Sequence, residues 1–139
     1  MRLSGWETRL SDFIEKVSKQ PFEYGEFDCC LFAAEVIKTL AGVDIRTEII
    51  PDRYQGKEEA DEVLRKYGGI EGIADRVAER CGFKPIPVLF AQRGDVVTGE
   101  IKDVFNFGIC IGKKIAFSSP SGLVFLNITS KSLKKAWRI

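Results

Sequence analysis

The sequence predicts an α+β domain in which N-terminal helices pack on a C-terminal antiparallel sheet or half-barrel. Three observations carry this. Apolar residues recur at the helical period of about 3.6 through roughly residue 83. From about residue 88 they alternate at the period of about two that marks a strand. Between the two regimes, Lys84-Pro85-Ile86-Pro87 holds two prolines that exclude helix and read as a stiff link. Helices first and strands second is the order of the α+β class. With 139 residues the chain can bury a real core, and no repeat or low-complexity run divides it, so residues 1–139 read as one domain.

Taken in order, Leu3 to about Lys19 form an amphipathic helix. Trp6, Leu10, Phe13, Ile14 and Val17 make its apolar stripe, with Ser4 as cap and Glu7 as the capping-box partner. Pro21 ends regular helix, and Pro21–Phe27 is an aromatic loop. A second helix begins at Asp28, a good N-cap residue, and ends at Gly42. Leu31, Phe32, Ala33, Ala34, Val36, Ile37 and Leu40 make it apolar nearly all round, which predicts the central buried helix. A polar loop with Pro51 leads to a charged helix over Gly56–Tyr67 and a short one over Ile70–Cys81, stopped by glycines. Strands then follow at Gly94–Thr98, Val104–Ile111, Lys114–Ser118, Leu123–Ile128 and Ala136–Ile139. Gly112-Lys113 and Pro120-Ser121-Gly122 supply the turns.

Bulk properties exclude more than they assign. Net charge is +1, with 45% hydrophobic and 29% charged residues, so nothing global points to nucleic acid or membrane. The basic residues form no recognised nucleic-acid motif. No leader-like apolar stretch and no run of membrane-spanning length is predicted. From Val104 onward there are six basic residues and no acidic one, against 15 basic and 20 acidic before it. Those lysines read as solvated strand faces, or else as a basic face for an acidic partner. The four cysteines show no C-x-x-C spacing, and no metal or cofactor is predicted; free thiols made in a reducing cytosol are the simplest account.

Cys29 is the candidate for chemistry. At a helix N-terminus the dipole and free amides favour a thiolate. Yet the chain contains no histidine, the usual base. Cys29 therefore reads first as a packed thiol and second as a nucleophile without a general acid. Asp28 is the cap, or a carboxylate bordering a cleft. Cys30, Cys81 and Cys110 read as core, and Asp95 as a hydrogen-bond anchor in a turn. Trp137 reads equally as core or as a residue facing a partner, with Arg138 beside it.

Asp28-Cys29-Cys30 opening a buried helix, Gly94-Asp95-Val96-Val97 and Asn106-Phe107-Gly108-Ile109-Cys110-Ile111-Gly112 together resemble the NlpC-type cell-wall peptidases, a branch of the papain-like fold. The resemblance places the nucleophile at Cys29, the base at Asn106 and the third polar residue at Ser118. An amide cannot take a proton from a thiol at neutral pH, so the alignment implies a lapsed active site. A closer likeness spans nearly the whole chain. Trp6, Arg9 and Leu10, the segment from Pro21 to Cys29, Gly42 with Asp44, Tyr54, Gly68-Gly69, Ala91 to Val97 and Ala136 to Ile139 resemble small proteins encoded among phage and prophage tail genes. That implies a tail-tip structural or assembly component in the virion tail, synthesised in the host bacterial cytoplasm. Its implied partners are other tail proteins (hub or tail-tip subunits), with peptidoglycan as a further one. Two alternatives stand beside it. One is a peptidoglycan-degrading cysteine peptidase or amidase with a non-histidine base. The other is a non-cleaving glycan- or peptide-binding domain.

Overall fold

A computed structural model describes residues 2–139. It is an α+β fold of five α-helices followed by a six-stranded antiparallel sheet. Helices α1 (Trp6–Val17), α2 (Cys29–Ala41), α4 (Gly56–Tyr67) and α5 (Gly69–Cys81) lie where periodicity predicts them. The start of α1 differs in detail. Gly5, in left-handed backbone, occupies the N-cap with no side-chain hydrogen bond, so Ser4 is not the cap. Helix α2 starts as predicted, with the Asp28 carboxylate accepting from Leu31 N–H at 2.9 Å, and Gly42 closes it in left-handed backbone. The loop before Pro51 is partly ordered. It contains a one-turn helix, α3 (Ile45–Glu48), capped by Asp44 through Thr47 N–H. Four residues are too few to show a period, and capping plus burial of Ile45, Ile49 and Ile50 hold the turn.

The sheet is built from β1 (Lys84–Ile86), β2 (Val96–Ile101), β3 (Val104–Cys110), β4 (Lys114–Ser119), β5 (Gly122–Asn127) and β6 (Leu133–Arg138), in the order β1-β6-β2-β3-β4-β5. The segment expected to be a stiff link is therefore a strand. Pro85 pairs opposite Trp137 in β1, and an edge strand is where a residue lacking an N–H is tolerated. Pro87 then opens a short 3-10 turn over Val88–Phe90.

Side-chain alternation gives the sheet two apolar faces. Val96, Phe107, Ile109, Ala116 and Trp137 pack with α2 in the main core, around Phe32, Val36 and Leu40. Val97, Cys110, Ile115, Phe117, Leu133 and Ala136 form a second cluster on the other face. Phe117 is its centre, and two glycines make room for it. A Cβ on Gly108 would lie 2.6 Å from the Phe117 ring, and one on Gly99 would lie 3.1 Å from it. The expected choice for Trp137 is thereby made, since it is core and 4% exposed. The five C-terminal lysines are all exposed, as both the solvated-face and the basic-face readings require.

Asp95 ties the ends of the fold together. It is fully buried just before β2, and its carboxylate accepts from Gln92 N–H at 2.8 Å, from Arg2 at 2.5 Å and from Arg138 at 3.3 Å. The turn anchor predicted from Gly94-Asp95 is there, but it also serves as counter-ion to residues from both ends of the described chain.

Candidate functional site

The segment ahead of α2 is held by its own backbone and by Tyr54. Glu23 and Phe27 exchange hydrogen bonds across a tight turn at Gly25. Gly25 has φ +87°, and a Cβ there would sit 2.1 Å from the Tyr54 carbonyl oxygen, so only glycine lets the two loops meet. Asp28, 3% exposed, accepts from Gly25 N–H at 3.1 Å, from Leu31 N–H, and from the Tyr54 hydroxyl at 2.5 Å. With both carboxylate oxygens engaged, Asp28 is a structural cap rather than a free base at the cleft.

Cys29, the first residue of α2, is half-buried, packs against the main core and borders a large cavity. Cys30 beside it is also half-buried. Its thiol is pushed well up, first by interaction with the Cys29 thiol, then by burial and by the Asp28 carboxylate. Tyr54 is likewise pushed far up, chiefly by burial and then by the Asp28 charge. Neither group can serve as a base near neutral pH. Cys110 is core, as expected, whereas Cys81, like Cys30, keeps partial exposure.

The other two aligned positions do not complete a catalytic set. Asn106 borders the same cavity as Cys29 but lies on β3, in register with Gly99 of β2. Its side-chain amide donates to the Val104 carbonyl at 2.9 Å, a local bond within its own strand. Ser118 lies two residues beyond Ala116 on the α2-facing side of β4 and is buried. Arg138 is a fastening rather than a free binding group: its guanidinium donates to Asp95 and to the Phe90 carbonyl at 2.9 Å. Among the described residues Cys29 thus has no histidine beside it, and the adjacent carboxylate of Asp28 is engaged by three donors. Among the described residues no metal-binding group is found, and no helix is long and apolar enough to cross a membrane.

Cys30 and Tyr54 give a pH dependence with a definite sign. Both hold their protons more tightly in the folded state, against ordinary values of 9.0 and 10.0. Their contribution to stability is therefore intact below about pH 9 and is withdrawn as pH rises further, by up to about 1.4 kcal/mol per pH unit for each group. Urea unfolding in reductant from about pH 8 to about pH 10.5 should show this decline. A Cys30→Ala, Tyr54→Phe double variant should lessen it, the remainder belonging to Cys81, Cys110 and Tyr67, whose protons are also held more tightly in the fold.

Fold and site thus define an α+β domain with two adjacent thiols at the N-terminus of its central helix and a cavity beside them. Residues 1–139 match, end to end, the family described as a domain of unknown function (DUF6950), and the chain belongs to that family. Comparison with curated proteins finds no match.

Proposed function

We propose that the chain is a structural or assembly component of a bacteriophage or prophage tail tip, built on a papain-like, NlpC-like fold that no longer cleaves. The observation that carries the non-catalytic part is the state of Cys29. It keeps the nucleophile's place at the start of α2, while the chain has no histidine, the Asn106 side chain is an amide tied to the Val104 carbonyl, and Asp28 is saturated by hydrogen bonds. A thiol without a base or a general acid cannot expel an amine leaving group at a useful rate. The likeness of whole-chain motifs to small tail-encoded proteins supports the assembly role. The packing of α2 on an antiparallel sheet is a feature the papain-like reading requires. Neighbouring hub or tail-tip subunits are the partners this reading requires.

Deleting the gene from a phage or prophage that carries it should stop tail assembly, and a copy bearing Cys29→Ala should restore assembly and infectivity in full. If tails assemble with Cys29→Ala but no longer infect, the subunit acts chemically and the peptidase alternative takes its place. New amine termini released from peptidoglycan by purified tails would point the same way.

A further inference from the structure

The cavity beside Cys29 has a volume of about 530 Å³ and lies between α2, the α4–α5 pair and β3. Its size falls within the range of small-molecule sites. Its walls are apolar, with Ala34, Ile37, Leu64, Ile73, Val77 and Phe105 among them. Charged groups line it too, buried at Asp28 and more open at Arg46, Asp52, Lys57, Asp61 and Lys102, and their pairing is uneven. Each carboxylate there is engaged. Asp28 is taken by Gly25, Leu31 and Tyr54, Asp52 by Lys66 and Tyr67, and Asp61 by Lys57 at 2.8 Å. Arg46 and Lys102 also line the rim, and among the described residues neither has an ion pair or a side-chain hydrogen bond.

Arg46 is the more telling of the two. Its Nε is buried without a partner, and its guanidinium lies 6.0 Å from the Tyr54 ring. Arg2 and Arg138 also have an unpaired Nε, but both bind Asp95 through their other nitrogens. Arg46 is fixed in α3, whose neighbours Ile45, Ile49 and Ile50 are buried, so its position does not depend on a free loop. On its other side is a shallow polar depression bearing Glu26, Glu59 and Arg53, and neither glutamate pairs with Arg46. A desolvated guanidinium donor left unpaired is costly, and a planar carboxylate matches its fork.

We propose that this cavity binds an amphipathic carboxylate, with its head on Arg46 and its apolar chain between α2 and the α4–α5 pair. The proposal rests on the cavity and its rim, independently of the tail-assembly reading. Recognition needs both parts. The apolar walls supply affinity in proportion to chain length, and Arg46 selects a single negative charge at the mouth.

Calorimetric titration with dodecanoate, kept below its micelle concentration, should give one saturable site per chain. Tryptophan emission should shift with it, because Trp137 lines the cavity. Butanoate, lacking the chain, should bind at least about a hundredfold more weakly. Dodecanol, lacking the charge, should bind at least about tenfold more weakly. Arg46→Met should lower dodecanoate affinity about tenfold to a hundredfold and leave dodecanol unchanged, with circular dichroism confirming the fold. Absence of saturable dodecanoate binding would overturn the proposal. So would equal affinity for dodecanol, or binding indifferent to Arg46→Met.

Discussion

Replacing Asp95 with alanine should destabilise the protein by about 3 kcal/mol or more, among the largest effects any single polar substitution here can have. The loss comes from what is left behind. Without the carboxylate, the Gln92 N–H has no acceptor, and Arg2, whose side chain is only 15% exposed, keeps a charge with no counter-ion. Arg138 is 41% exposed and can be rehydrated, so its share is smaller. Asp95→Asn should fall between, because an amide oxygen can still accept from Gln92 while both ion pairs are lost. Urea unfolding of the three proteins measures the series. A loss below about 1 kcal/mol for Asp95→Ala would mean that the two arginines find other partners.

Asp28→Ala should cost about 2–4 kcal/mol, as the sum of two separable losses. One is the N-cap of α2, worth about 1 kcal/mol for an Asp-to-Ala change. The other is the acceptor for the Tyr54 hydroxyl and Gly25 N–H, which hold the Tyr54 loop against the start of α2. Tyr54→Phe should recover part of the second loss in the Asp28→Ala background, since it removes the orphaned hydroxyl. A double-mutant cycle therefore divides the total. If the cycle shows no coupling, the Asp28–Tyr54 bond contributes nothing, and capping accounts for the whole effect.

Much of the fold could be read from the residues, and the reasons are local. The bounds of α4 and α5 follow from Gly68 and Gly82, which stop each helix in left-handed backbone, and the start of α2 follows from Asp28. What escaped was structure made by partners distant in sequence. Nothing in Lys84-Pro85-Ile86 signals a strand until β6 lies beside it, and α3 is held by its cap and by buried isoleucines. The site divides in the same way. Cys29 and Asp28 were found because a capped apolar helix announces itself. Arg46 was missed because an unpaired cation is visible only once the carboxylates around it are seen to be occupied. Residue pattern alone leaves Trp137 open because a terminal strand can bury or expose either face, and its neighbours across the sheet settle which.

The strand order also bears on how the protein is made. During synthesis β1 to β5 leave the ribosome before β6, yet β6 belongs between β1 and β2. Until it arrives, both of those strands present unpaired backbone edges, the kind that recruit other chains. Closing the sheet then joins β6 to a strand 50 to 54 residues upstream, from Ile86 opposite Ala136 to Lys84 opposite Arg138, a long loop to close and a slow step. The nascent chain is thus most vulnerable to aggregation just before its last strand is inserted. Yield in cells should accordingly depend more on chaperone supply and growth temperature than on the stability of the finished fold.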